Sequence, residues 1–327
     1  MKYTFPLVWP STLFSLALTL TPLSSLFAQA YPTHTVQMIV PYVAGGSIDT
    51  MSRAVAAKLS ELWNIPVVID NRPGASGMIG TEQVTKAAPD GYTLLGHTSS
   101  YTGTAAIRAK LPFDPAQAIV PVGGIGRSAM ILAIHPSVPA KNVAQLVSLL
   151  KKNPGKLHYG SSGIGGNNHF SGALFDMAAG TQMIHIPYKG ISSAMTALAS
   201  GEVEVVIASA AAVNPQLRAG RVRALAMSGD KPSALLPGLP SIAQSGVGGY
   251  QYALWWAIFT PAGISSERKN FINNSINKAL QSAEIKKFLD QESAEPWIST
   301  ADEMVQLLPT EIDRYRKIAK LANIPLQ

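Results

Sequence analysis

Short β-rich apolar runs alternate with segments of helical apolar spacing over most of this chain. That alternation restricts it to a parallel α/β architecture, because parallel neighbours need a crossover connection and a helix supplies it. The first set opens with an apolar run at 36–43 that ends on Gly45-Gly46. A helix over 50–63 follows, with Met51, Val55, Leu59 and Leu62 on one face and Ser47 or Asp49 available to cap it. A strand at 66–70, the turn Asn71-Arg72-Pro73-Gly74, a helix at 79–87, the turn Pro89-Asp90-Gly91 and a strand at 92–96 complete this set. The second set has strands at 130–134, 158–160, 183–187, 203–208 and 223–227, with helices at 143–152, 168–179, 192–200 and 213–219 between them. A lone β run at 255–260 then precedes two helices, 266–282 and 300–322. So late a strand is explained by a return to the first lobe. The expected fold is α/β and bilobed: lobe 1 from 31–133 plus 252–327, lobe 2 from 134–251, and a hinge of two crossings near 130–134 and 251–258. A ligand would sit in the cleft that hinge motion closes.

The N-terminus has the pattern of an export signal. Lys2 gives a basic start, residues 13–27 are largely apolar, and Ala28-Gln29-Ala30 is the small-x-small sequence that signal peptidase reads. Cleavage is expected after Ala30. The apolar stretch is short and interrupted by Pro22, so an uncleaved anchor is disfavoured. No later run reaches 18 uninterrupted apolar residues, and the exported chain is expected to be soluble and periplasmic.

Composition removes other classes. Apolar residues make up 47% of the chain and charged residues 14%, a balance that fills large cores and argues against disorder. The net charge of +7 is spread out, with only pairs such as Lys151-Lys152 and Lys286-Lys287, so no nucleic-acid-binding run is present. A mild positive field suits an anionic small ligand through steering. The absence of cysteine excludes disulfides, thiolate catalysis and thiolate metal sites.

Ligands of parallel α/β layers bind beyond the carboxyl ends of strands, where helix N-termini present free N–H groups and a dipole that favours anions. Four loops have the composition for this. The first runs Tyr42-Val43-Ala44-Gly45-Gly46-Ser47-Ile48-Asp49, with paired glycines that let backbone approach a carboxylate. The second is Thr98-Ser99-Ser100-Tyr101, with hydroxyl donors. The third, Ser161-Ser162-Gly163-Ile164-Gly165-Gly166-Asn167-Asn168-His169, is small, polar, glycine-rich and opens a helix; it lacks a P-loop ending and a G-x-G-x-x-G pattern. The fourth, Pro187-Tyr188-Lys189-Gly190, offers a ring, a hydroxyl and a charge. Of Trp255-Trp256, adjacent in a strand and so facing opposite ways, at most one can wall a pocket.

Signatures of catalysis are missing. No G-x-S-x-G elbow and no H-E-x-x-H occur, and the six histidines (34, 97, 135, 158, 169, 185) show no ligand-like close spacing. Glu202 and Glu204 alternate across a strand and read as its solvent edge. No catalytic residue, metal or cofactor is expected.

Taken together, the motifs resemble the Bug family, the substrate-binding components of tripartite tricarboxylate transporters. The match runs from about residue 31 to 327. It rests on Ile39-Val40-Pro41-Tyr42 with Gly45-Gly46 and Asp49; Asp70-Asn71-Arg72-Pro73-Gly74-Ala75 with Gly77 and Ile79-Gly80; Ala88-Pro89-Asp90-Gly91-Tyr92-Thr93-Leu94-Leu95; Pro154-Gly155-Lys156-Leu157; His185-Ile186-Pro187-Tyr188-Lys189-Gly190; Leu225-Ala226; and Pro261-Ala262-Gly263. The resemblance implies a periplasmic-binding-protein fold and a small carboxylate, di- or tricarboxylate or aromatic acid, held largely by backbone amides and water. It places the ligand at Tyr42, Val43, Ala44, Gly45, Gly46 and Asp49, at Thr98 and Ser99, at Ser161, Gly163, Gly165, Asn168 and His169, at Tyr188 and Lys189, and at Ala208 and Ser209. The membrane permease subunits of such a transporter are the implied partners, with the receptor acting as a monomer. Two departures matter. Ala44 stands where the family usually has Pro before its glycines. The loop Ile207-Ala208-Ser209-Ala210-Ala211 has no acidic residue, which disfavours amino-acid ligands, because a buried ammonium without a partner is costly. The alternatives are a sensing module that docks a membrane sensor kinase and, weaker, a hydrolase.

Overall fold

The structure is a computed structural model that describes residues 1–4, 31–229, 236, 238–291 and 293–327. The expected signal sequence and its cleavage after Ala30 therefore fall outside the described residues, apart from the first four positions. The chain divides into an N-terminal segment, Met1–Tyr31, and a compact body, Pro32–Gln327.

The first half of the body contains β1 (Val36–Val40), α1 (Ser47–Trp63), β2 (Val67–Asn71), a 3-10 turn (Ala75–Gly77), α2 (Met78–Thr85), β3 (Thr93–Thr98) and α3 (Ser100–Ile107). β1 runs parallel to β2 on one side and to β3 on the other, as the alternation requires. The second half contains β4 (Ile119–Ile134), α4 (Val143–Lys152), β5 (His158–Ser161), α5 (Asn167–Ala179), β6 (Ile184–Pro187), α6 (Ile191–Ser200), β7 (Val205–Ser209), α7 (Ala210–Arg218) and β8 (Arg223–Met227). The chain then returns through β9 (Ala253–Pro261), α8 (Ser266–Ala279), α9 (Ala283–Gln291), β10 (Ala294–Pro296) and α10 (Leu307–Leu321). The sheet order is β2-β1-β3-β9-β4-β7-β5-β6, with β8 and β10 also on β4.

β4 belongs to both lobes. Ile119 to Ala129 pair with β9, and Met130 to Ile134 pair with β7 and β8. This is the first hinge crossing; the second leads from β8 back to β9. Ser228 joins the two: Met130 N donates to its hydroxyl at 2.8 Å, and that hydroxyl donates to the Tyr252 carbonyl at 2.5 Å.

Strand directions fix where ligand loops must lie. β9 is antiparallel to both β3 and β4, so β1 and β3 run in the same sense as β4, and their carboxyl ends point towards lobe 2. β7 is antiparallel to β4 and parallel to β5, which is parallel to β6, so the carboxyl ends of all three point back towards lobe 1. The two sets of strand-end loops therefore face each other at the point where β4 changes partners.

Each lobe buries its own apolar face. Ile39, Leu95, Tyr101, Phe259, Leu308 and Ile312 belong to one cluster, and Ile131, Leu198, Val206, Ala208 and Met227 to the other. Full burial of one such large side chain contributes roughly 1.5–3 kcal/mol.

Three elements differ from expectation. β4 begins eleven residues before the anticipated strand at 130, because Pro121, Gly123, Gly124 and Gly126 hide its first half. Those glycines are needed: a Cβ on Gly124 would lie 2.5 Å from the Trp297 ring and one on Gly123 2.6 Å from Ile276. α3 begins inside the expected loop Thr98–Tyr101; Ser100, Thr102, Gly103 and Thr104 are poor helix formers, and burial between β3 and α10 holds it helical. The C-terminal region forms three helices and a short strand, and α10 starts at Leu307 rather than at 300.

Candidate ligand-binding cleft

The first loop is held by a carboxylate. α1 starts at Ser47, three residues earlier than its apolar spacing indicates, with Gly46 at its N-cap and no side-chain cap. Asp49, 2% exposed, lies inside the first turn. Its Oδ2 accepts from Gly45 N and from Arg53 Nε, both at 2.9 Å, and its Oδ1 accepts from Asn71 Nδ2 at 2.8 Å. Burial acts to raise its pKa, but these donors outweigh burial and hold the carboxyl below the usual aspartate value. Asp49 is thus occupied with shaping the Gly45-Gly46 turn. Val43, Ala44 and Gly45 are exposed, and the N–H groups of the first turn of α1 have no carbonyl four residues back to receive them. Trp256 is buried beneath this turn, its indole N–H donating to Ser47 Oγ at 3.2 Å; Trp255 packs in the core against Phe259 and Trp297.

Tyr42 and His97 lie behind the loop. Their rings meet edge-on at 5.4 Å, and burial pushes the Tyr42 phenol upward, so it stays protonated. His97 is fully buried and held down to about 3 by that burial. Its Nδ1 accepts from Thr98 N at 2.8 Å, and its Nε2 has no hydrogen-bond partner among the described residues. Thr98 Oγ1 accepts from Ser100 N at 3.2 Å at the start of α3.

The third loop is held by neutral groups. Ser161 Oγ lies 2.6 Å from His185 Nε2 and accepts from Gly163 N at 3.1 Å. Gly165 N donates to His169 Nδ1 at 3.2 Å. His169 and His185 stack at 3.8 Å with 11° between their planes. Burial lowers them to about 4 and about 3 respectively, with the His169 charge adding to the effect on His185, so both are neutral at neutral pH. Asn168 is buried and structural: Nδ2 donates to the Ile207 carbonyl at 2.7 Å and Oδ1 accepts from Ser162 at 2.8 Å. The loop meets lobe 1 directly. Ser99 Oγ donates to Asn167 Oδ1 at 3.0 Å, and a Cβ on Gly103 of α3 would lie 2.8 Å from the Gly165 carbonyl.

The remaining sites are less enclosed. The Tyr188 hydroxyl donates to Glu202 at 2.8 Å, an acceptor whose charge, added to burial, raises the phenol to about 12. Lys189 is exposed. Ala208 belongs to the lobe 2 core, whereas Ser209 caps α7 by accepting from Ala212 N at 3.4 Å. Glu204 is engaged by His158, whose N–H donates to it at 2.6 Å.

The cleft floor can be measured along β4. Thr98 pairs with Trp256, which pairs with Gly126, while Ser209 pairs with Met130. Four residues of strand, roughly 13 Å at 3.3 Å per residue, separate the two strand ends. A separate cavity of about 760 Å³ opens beside lobe 2, between α5, β6 and residues 321–325; His169 and His185 form part of its wall. The closeness of those two histidines, sixteen positions apart, is invisible to spacing rules. Sequence reasoning named Asn167 only as a member of its loop and passed over Tyr252; the contact between them crosses the hinge.

Two opposed sets of helix N-termini in a hinged α/β pair define a solute-binding protein. The chain matches the tripartite tricarboxylate transporter family receptor over residues 51–324, and it belongs to that family of receptors, which are not enzymes. It is 32% identical to protein BugT of Bordetella pertussis over 302 residues, 92% of this chain and 93% of that one. Among solved structures, an R. palustris protein with adipate superposes with a TM-score of 0.80 at 35% identity, covering 90% of this chain and 99% of the other. The periplasmic binding protein BugD superposes with a TM-score of 0.77 at 27% identity, covering 91% and 100%. Among the described residues no helix is long and apolar enough to cross a membrane.

Proposed function

We propose that this protein captures a small carboxylic acid in the periplasm, between lobe 1 (31–133 plus 252–327) and lobe 2 (134–251), and delivers it to the permease subunits of a tripartite tricarboxylate-type transporter. The supporting observation is that two glycine-bearing helix N-termini, α1 and α5, open from strand ends that face each other, with roughly 13 Å of β4 between the ends of the neighbouring strands β3 and β7. One carboxylate is received by Gly46 and the first turn of α1, with the Gly45 N–H kept by Asp49, and the far end of the acid by Ser161–Asn167 and the Ser209 loop. The adipate-bound relative supports a ligand of this length and charge. Lys189, exposed at the rim, adds to the positive field that draws an anion in. With Ala208, Ser209 and Ala210 in place of an acid, the far end suits a second carboxylate or an apolar body better than an ammonium.

Receptor and permease meet in the closed form, a population shift driven by the ligand. Residues 1–30 direct export and are removed in its course, and the receptor works as a monomer. A thermal-shift panel of di- and tricarboxylates, aromatic acids, amino acids and the matching amides tests this reading. An acid at 100 times its dissociation constant stabilises by about 2.7 kcal/mol, which raises the Tm by several degrees. A shift with an acid and none with its amide is expected; tight binding of amino acids would overturn the assignment of the far end.

A further inference from the structure

A chain of hydroxyl groups runs from the C-terminal helix to the mouth of the lobe 2 loop. Tyr315 of α10 donates to Tyr252 at 2.7 Å, and Tyr252 donates to Asn167 Oδ1 at 3.1 Å. Ser99 of lobe 1 donates to the same oxygen at 3.0 Å. Both tyrosines are buried, at 2% and 3% exposure. Burial raises both phenols, with the Tyr315 charge adding to it at Tyr252 and Glu311 at Tyr315, so each keeps its proton at neutral pH and remains a donor. Two groups of lobe 1 thus meet one carbonyl oxygen at the first position of α5 in lobe 2, Ser99 at the start of α3 and Tyr252 in the stretch that enters β9, and α10 backs the second through Tyr315.

The consequence is orientation. An Asn side chain carries an acceptor and a double donor at fixed divergent positions, and which is which follows from the partners. Each hydroxyl already accepts from another group, Ser99 from Trp255 N at 3.4 Å and Tyr252 from Tyr315, so both turn their protons to Asn167 and the atom they share is the oxygen. The NH2 group is then turned away from both, and it has no hydrogen-bond partner among the described residues, although Asn167 is only half-buried. The adjacent Asn168 is different, since both ends of its amide are used inside the lobe. A donor group fixed in direction, uncommitted, and placed where strand-end loops of both lobes meet is what recognition of an anion requires.

We infer that Asn167 is a ligand donor to a carboxylate oxygen, and that Tyr252 and Tyr315 are positioning residues that hold its amide in register. The inference rests on the carboxylate-capture reading and extends it: the C-terminal helix, remote from the strand ends, reaches the bound acid through two phenols.

Two measurements on the full chain test this. The first is calorimetry with adipate and with the acid that gives the largest thermal shift. Asn167→Ala should weaken binding about thirtyfold, the weight of one hydrogen bond to a charged group, and Tyr252→Phe or Tyr315→Phe about fivefold each. Tyr252→Phe should add nothing in an Asn167→Ala background, because its effect passes through Asn167. A purely structural role would leave the two effects additive. The second uses no ligand: the Asn167 side-chain NH2 resonance, assigned by its loss in Asn167→Asp, should move in Tyr252→Phe. Asn167→Ala binding within twofold of wild type, additive effects in the double variant, or an unmoved NH2 resonance each overturn the proposal. A wild type that binds no acid contradicts the capture reading instead, and the wild-type titration alone tells the two failures apart.

Discussion

The two loops that face each other across the cleft have similar sequences and are stabilised by different physics. Both follow a parallel strand, both carry paired glycines and both open a helix capped by a glycine without a side-chain bond. In lobe 1 the turn is fixed by a buried anion, Asp49, with Arg53, Asn71 and the Gly45 N–H around it. In lobe 2 the turn is fixed by neutral imidazoles and hydroxyls, with Gly165 on His169 and Gly163 on Ser161, which is itself held by His185. A glycine-rich strand-end loop does not arrange itself. The residues that hold it decide how it responds to charge and to the other lobe.

Removing the anion should have the largest effect. Asp49→Ala leaves the Gly45 N–H, the Asn71 amide and Arg53 without their acceptor, and is expected to cost about 3 kcal/mol in a denaturant melt, together with most of the ligand affinity. Arg53 is half-exposed and regains water, which keeps the loss from being larger. If Asp49→Ala melts like wild type, the lobe 1 turn is not held as described.

The glycines separate the loops next. Gly45 has φ +85° and nothing near its Cβ position, so Gly45→Ala should cost only the left-handed penalty, about 1 kcal/mol. Gly165 has φ +81° and a Cβ there would lie 2.8 Å from Ile107 of lobe 1. Gly165→Ala should therefore cost about 2 kcal/mol or more, since it adds overpacking to the same backbone penalty. Equal losses would remove the claim that the lobe 2 loop is wedged against lobe 1.

How far sequence reading goes is clear at these positions. The strand–helix alternation, the paired glycines and the late return strand locate both loops, because apolar period and turn chemistry are local signals. The partners are not local. Asp49 reads as a helix cap or ligand contact and is a brace inside the turn. His169 and Asn168 read as ligand groups and are built into the loop's support. Asn167, beside them, keeps an NH2 group without a hydrogen-bond partner among the described residues, and the contacts of Ser99 and Tyr252 on its oxygen reveal it. The first half of β4 was hidden for a related reason: its glycines are dictated by Trp297 and Ile276, residues far along the chain.

Acid should distinguish the loops with the smallest effect. His169 and His185 have folded values near 4 and 3, below the usual 6.5, so the unfolded chain binds more protons between those values. Their contribution to stability is complete above about pH 6.5 and declines as pH falls towards the folded values. Asp49 is depressed below 3.8, so its contribution is complete above that value and declines only at lower pH. Protection of the Gly165 amide relative to intrinsic exchange should therefore fall at a higher pH than that of Gly45. Simultaneous loss, or the reverse order, would erase the distinction.

The most direct measurement is a crystal structure of the protein with the acid that stabilises it best. The account predicts one carboxylate against the N–H groups of Gly46 and the first turn of α1, with the Ser161–Asn167 edge of lobe 2 closed over the same molecule. An acid bound instead in the cavity beside residues 321–325, or held by one lobe with the other uninvolved, would contradict it.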